Sequence, residues 1–179
     1  VLCVTLAVPG DSARELARYD RGDVLAGEYW RLLSGHFVHL GWGHTWLNVA
    51  ALLIVGMLFS DVLRTRDWLA SVCASILAID IGLLWLEPDV EWYVGLSGAL
   101  HGLVAAGALH LVARRERLGL VLVLGLCAKL VYEQAFGALP LTAATSGGPV
   151  LVVAHLYGAI GGACAAALAL YLRRRGSRL

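Results

Sequence analysis

The chain has 179 residues, 59% of them hydrophobic and only 15% charged, with a formal net charge of +1 and a mean hydropathy of +0.75. Soluble domains run nearer to ~45–50% apolar and ~25% charged, so an ordinary soluble domain is excluded, and the lack of polar low-complexity sequence excludes disorder. The near-zero charge leaves no electrostatic case for nucleic-acid binding. What remains is an integral membrane protein, one helical domain over residues 1–179. Its apolar runs are continuous and about the ~20 residues that a spanning helix needs, unlike the short alternating strands of a transmembrane barrel.

In chain order, the first apolar run, 1–8, is too short to span. It reads as the end of a spanning helix truncated at its N-terminal side, not as a signal peptide. A polar stretch of mixed charge follows, from 10 to about 35. Further runs at 45–63, 68–86, 93–113, 118–139 and 150–172 bring the predicted spans to six. Arginines crowd the breaks after the second, fourth and sixth runs: Arg64 and Arg66; Arg114, Arg115 and Arg117; Arg173, Arg174, Arg175 and Arg178. The loops after the third and fifth runs have none. One is acidic, with Glu87, Asp89 and Glu91, and the other, 140–149, is rich in Gly, Ser, Thr and Pro. The positive-inside rule then puts the three basic ends and both termini in the cytoplasm. Only the first loop, with Arg14, Arg18, Arg21 and Arg31, runs against it. Cys3, Cys73, Cys127 and Cys164 have neither disulfide nor zinc spacing and are expected to be buried small hydrophobes.

Ionisable residues inside spanning helices are costly and point to function. In this topology the second, fourth and sixth spans run inward from the outer face. His44 and Asn48, Ser97, and His155 therefore all fall in first turns, at one depth near that face. His44 and Asn48 are four apart and share a helix face, as do Ser97 and His101. His39 belongs to the loop that leads into the second span. Gly98 with Gly102, and Gly158 with Gly162, form G-x-x-x-G steps, which let helix backbones approach closely in lipid. Packed together, they draw Ser97 towards His155.

These residue types suit acyl transfer. A serine hydroxyl needs a base to take its proton, and histidine is the usual base. The oxyanion of the tetrahedral intermediate needs fixed donors, which the Asn48 amide, the His44 imidazole and the Ser97 backbone N–H can supply. No acid lies at the same depth in the sixth span to orient His155, so the expected arrangement is a Ser–His dyad rather than a triad. The plain alternative is that these polar residues only tie helices together.

At these positions the sequence resembles the rhomboid family of intramembrane serine proteases. Glu28-Tyr29-Trp30-Arg31 resembles the family's Trp-Arg motif in the first loop. His39, His44 and Asn48 follow its H-x4-H-x3-N spacing, Gly95-Leu96-Ser97-Gly98 its G-x-S-G nucleophile motif, and Ala154-His155 with Gly158 and Gly162 its base motif. The resemblance implies a six-helix bundle, Ser97 as nucleophile, His155 as general base, and oxyanion stabilisation by His44, Asn48 and the Ser97 amide. It implies a structural role for Trp30 and Arg31, no cofactor, and no metal. An aromatic residue, often Tyr, usually follows the nucleophile by one turn and packs on the catalytic histidine. Here that position is His101, and Ser97-Gly-Ala-Leu-His101-Gly looks like the rhombosortase branch. That branch implies membrane-anchored substrates with a C-terminal Gly-Gly motif, a hydrophobic helix and a basic tail, cut at the periplasmic face of a bacterial inner membrane. His101 puts the ring-packing role in doubt, leaving substrate binding or a hydrogen bond to His155.

Other polar residues stay open. Lys129 and Glu133 read as an intrahelical ion pair or, for Glu133, as part of the substrate entrance. Asp80 needs a hydrogen-bond partner within the bundle. His110, near the basic end, reads as structural, and His36 as either. Residues 145–149 read as a cap over the site or a plain connector. Rival functions are a metal or haem protein, disfavoured by the absence of H-E-x-x-H and of an evident carboxylate–histidine set, and a non-catalytic rhomboid-like protein that binds client helices. A transporter would need broken helices in related halves, which the sequence lacks.

Overall fold

A computed structural model describes residues 11–176. The first apolar run and Cys3 lie outside them. Among the described residues five apolar helices form a bundle: α4 (Trp42–Phe59), α5 (Thr65–Trp85), α6 (Ser97–Ala113), α7 (Arg117–Phe136) and α9 (Val153–Gly176). Four of these are long and apolar enough to cross a membrane, and α6, with 17 residues, is the shorter one. α6 is the hub: it packs against α4, α5, α7 and α9. Its small residues, Gly98, Ala99, Gly102, Ala105, Ala106 and Ala108, are all buried. The two glycine steps interlock as the sequence predicts. A β-carbon on Gly158 would strike the Gly98 carbonyl, and one on Gly162 would strike that of Gly102. Large apolar side chains such as Leu53, Met57, Val121, Leu124 and Leu168 point outward, where hydrocarbon replaces water.

The chain before α4 is more ordered than its mixed charge predicts. It forms α1 (Asp11–Ala17), β1 (Tyr19–Asp20), α2 (Arg21–Leu25) and α3 (Trp30–Ser34). The Asp20 side chain caps α2 by accepting from the Asp23 N–H at 3.3 Å. Arg31 is 6% exposed. Its guanidinium pairs with Glu28 at 2.6 Å and Asp23 at 2.9 Å, and donates to the carbonyls of Glu15 and Arg18. Trp30 stands exposed beside it. β1 pairs antiparallel with β2 (Trp92–Tyr93), Tyr19 opposite Tyr93, which ties this folded loop to the segment that delivers Ser97. The Gly95 N–H donates to the Gly35 carbonyl at 3.0 Å, a second tie.

Three arginine-rich breaks gather at one end of the bundle. Arg114 donates to the carbonyls of Asp61 and Val62 at 3.0 and 3.1 Å. Arg173 pairs with the buried Asp67, which also accepts from the Arg64 N–H at 3.1 Å and so caps α5. Two expectations are corrected. Residues 140–149 are not wholly irregular: α8 (Pro140–Thr145) begins on a proline, whose fixed φ suits a first helical turn. Cys73, Cys127 and Cys164 are exposed and free rather than buried. In a membrane an apolar residue is as well placed on the lipid-facing surface as inside the protein, so apolar character does not imply internal burial.

Candidate active site

The far end of the bundle from the arginines holds the first turns of α4, α6 and α9, and with them His44, Asn48, Ser97 and His155. The convergence expected from depth alone is present. Ser97 is the first residue of α6, where backbone N–H groups have no partner within the helix and the dipole favours negative charge. Gly95, two residues earlier, has φ +119, a backbone that side chains other than hydrogen rarely adopt. A β-carbon there would also lie 2.9 Å from the His44 ring. Gly95 therefore serves both the turn into α6 and the close approach of His44. The Tyr93 hydroxyl steadies the turn by donating to the Gly95 carbonyl at 2.6 Å. Gly98 lets α6 press against the Ala154 carbonyl, next to His155.

Ser97 Oγ lies 2.9 Å from His155 Nε2. His155 Nδ1 lies 2.9 Å from Glu133 Oε2. A carboxylate only accepts, so Nδ1 carries the proton and Nε2 presents its lone pair to the serine hydroxyl. The sixth span offers no acid to orient His155, as the sequence indicates, but the fifth does. Glu133, from the last turn of α7, reaches across, and its other oxygen takes the Lys129 ammonium at 2.6 Å. The ion pair expected from the i, i+4 spacing is present. Its extension to His155 depends on how α7 is rotated against α9, which no spacing within α7 encodes.

His101 fills the ring-packing position after all. Its ring stacks on His155 with centroids 4.1 Å apart and planes 14° from parallel. Its Nδ1–H donates to the Ser97 carbonyl at 2.7 Å, and it makes no hydrogen bond to His155. His44 accepts from the Leu40 N–H at 3.4 Å and meets His39 edge-on, centroids 5.0 Å apart. His39 is buried before α4, with no hydrogen-bond partner for either ring nitrogen among the described residues. Burial, with His44 beside it, pushes its pKa down to about 4. The Asn48 amide donates to the His44 carbonyl at 2.9 Å, which leaves its second N–H available. Asp80 has its partner in His36, at 3.1 Å. His110 donates to Ala106 within its own helix, away from the site.

Space surrounds the pair. A cavity of about 160 Å³ is lined by His44, Asn48, Ser97, His101, Thr142 and His155. A second, of about 300 Å³, reaches Ser97 from the loops, past Leu40, Asp89, Glu91 and Pro149. An apolar groove of about 450 Å³ between α4 and α7, lined by Ala51, Val55, Val121 and Gly125, shares His101 and Lys129 with the site.

The sequence shows no carboxylate–histidine set, but the fold assembles one: donor atoms of His101, Glu133 and His155 lie within 4.8 Å of one another. A metal ion needs imidazole lone pairs that converge, and each lone pair lies in its ring plane. The two rings are almost parallel, and Glu133 is already bridged to Lys129. Glu133 and His155 belong to a hydrogen-bonded chain with Lys129, and His101 is stacked beside it, an arrangement that does not suit a ligand set.

Comparison with known proteins agrees with the motifs. The family model described as the Rhomboid domain matches residues 26–172. A Bacillus subtilis (strain 168) protein described as "Putative rhomboid protease YdcA" is 28% identical over 96 residues, 54% of this chain and about half (48%) of that protein's length.

Proposed function

The chain belongs to the rhomboid family, whose members are generally intramembrane serine proteases, and we propose that it is a working member: an endopeptidase that cuts membrane-anchored proteins within or just outside a transmembrane segment. The observation that carries this reading is the 2.9 Å contact from Ser97 Oγ to His155 Nε2, with the proton of the imidazole held on the other nitrogen. Ser97 Oγ attacks the scissile carbonyl carbon while its proton passes to Nε2. The oxyanion forms beside the Ser97 N–H at the helix terminus, with the His44 imidazole and the free N–H of Asn48 as further donors. The C–N bond breaks as the imidazolium protonates the leaving amine. Water then attacks the acyl-enzyme by the same route in reverse. His39 and Gly95 hold His44 in place, Gly98, Gly158 and Gly162 bring α6 and α9 together, and Trp30 and Arg31 brace the loop at the interface.

The substrate segment approaches through the apolar groove between α4 and α7, and water enters through the polar mouth at Asp89 and Glu91. The reading includes six spans, with the arginine-rich end in the cytoplasm and the site at the periplasmic face of a bacterial inner membrane. The clustering of Arg64, Arg114 and Arg173 at the end opposite Ser97 supports that orientation. Within the family we assign the chain to the rhombosortase branch, on Ser97-Gly-Ala-Leu-His101-Gly, with Gly-Gly-tailed proteins as substrates. Reconstitution with a reporter carrying a Gly-Gly motif, a hydrophobic helix and a basic tail tests both levels. Wild type cuts it and Ser97→Ala does not. Equal cutting of a reporter without Gly-Gly removes the branch, and no cutting that depends on Ser97 removes the protease.

A further inference from the structure

Resting on the proteolytic reading, we infer that Glu133, held by Lys129, is a positioning residue for His155, so that a chain of four side chains from three helices operates at the nucleophile: Lys129, Glu133, His155 and Ser97. The first observation is the cost. The Glu133 side chain is fully buried in a spanning helix, where an unneeded carboxylate is expensive. The second is the division of its two oxygens. An intrahelical ion pair needs only Oε1, which Lys129 takes at 2.6 Å. Oε2 is turned to another helix, onto His155 Nδ1 at 2.9 Å. The third is the tautomer. With Nδ1–H on the carboxylate, Nε2 must be the acceptor that faces Ser97 Oγ. The opposite tautomer sets a lone pair against the carboxylate and points an N–H at the hydroxyl, where no proton can be taken. His101 completes the hold by covering one face of the ring.

The charge count is consistent with this role. Lys129 and Glu133 cancel before reaction. When the Ser97 proton reaches Nε2, the imidazolium sits against an ionised carboxylate already in place, and the proton goes on to the leaving amine, never to Glu133. Lys129 is 28% exposed and lines the substrate groove as well as the site. It supplies the counter-charge that keeps Glu133 an acceptor inside hydrocarbon.

The test uses the purified protein in detergent, with two readouts besides the thermal midpoint. One is fluorophosphonate labelling of Ser97, resolved into its saturating rate and its half-saturating probe concentration. The other is the histidine ¹⁵N spectrum, which reports which ring nitrogen of His155 carries the proton. Glu133→Ala is expected to lower the saturating rate by about 100-fold or more, to change half-saturation by less than about threefold, and to lose the Nδ1–H tautomer. Lys129→Met is expected to lose at least about tenfold in rate, and Lys129→Arg to recover most of it. The double variant Lys129→Met with Glu133→Leu leaves no unpaired charge and no acceptor for the His155 Nδ1–H. It is expected to regain the wild-type thermal midpoint and stay slow. A Glu133→Ala protein that labels at the wild-type rate with the wild-type tautomer, or a double variant that regains speed with stability, overturns the positioning role alone. An unlabelled, folded wild type overturns the proteolytic reading beneath it.

Discussion

Among the described residues two buried histidine–carboxylate pairs occur, and one of them faces a serine hydroxyl. His155 meets Glu133 at 2.9 Å, and His36 meets Asp80 at 3.1 Å. Both imidazoles are almost fully buried. The difference lies at the second nitrogen. In His155 it faces Ser97 Oγ beside a cavity. In His36 it has no hydrogen-bond partner among the described residues, and the ring packs edge-on against Tyr93, centroids 5.3 Å apart. In the proposed mechanism a histidine–carboxylate pair serves chemistry in one place, and in the other such a pair fastens the first loop to α5. Neighbours, not residue identity, decide which.

The largest expected effect is on the first pair. Ser97→Ala removes labelling outright, and His155→Ala lowers it by about 10⁴-fold or more, whereas a variant in the second pair leaves the labelling rate within about threefold. Next comes the oxyanion side. Asn48→Ala is expected to lose about 100- to 1000-fold in rate with little change in thermal midpoint, measured on folded protein below its transition. Loss of rate only in step with loss of fold would instead make Asn48 a helix tie. Third, Asp80→Asn weakens the structural pair and is expected to cost about 1–3 kcal/mol of stability, read as a lower thermal midpoint with near-normal labelling at low temperature. If labelling falls as far as it does for Glu133→Ala, the distinction between the two pairs fails.

The last effect concerns acid and leaves labelling at neutral pH out of account. His39 has a pKa of about 4 in the fold and an ordinary value near ~6.5 when unfolded. Between those values the unfolded chain binds the extra proton, so folding stability present above pH ~6.5 declines as pH falls and levels off below about 4. His39→Phe is expected to flatten that part of the stability curve by up to ~3 kcal/mol. Thermal midpoints of the two proteins between pH 7 and 4 measure it, and parallel curves would assign the decline to other groups.

Much of this is legible in the amino-acid sequence. Depth put Ser97, His155, His44 and Asn48 at one level, and the paired glycine steps gave the α6–α9 contact. What is not legible has two physical causes. Glu133 is visible as the partner of Lys129, since both lie on one helix at i, i+4, but its reach to His155 depends on the rotation of one helix against another, and a single sequence carries no such register. His101 was ambiguous for the same reason: stacking and hydrogen bonding need the same spacing and differ only in ring orientation. The first loop hid its order because α1, α2 and α3 are 7, 5 and 5 residues long, too short for a helical period to show. The family resemblance marks its anchor, Arg31, as structural, but the partners that hold it, Asp23, Glu28 and the carbonyls of Glu15 and Arg18, follow from no spacing.

The most direct measurement is the site and rate of covalent labelling by a fluorophosphonate on folded protein in detergent, read by mass spectrometry for wild type, Ser97→Ala and His155→Ala. The expected result is one modified residue, Ser97, in the wild type and none in either variant. A folded wild type whose Ser97 stays unmodified, or a His155→Ala protein whose Ser97 labels as fast as the wild type, would contradict an activated serine and leave the contact between the two side chains as a tie between helices.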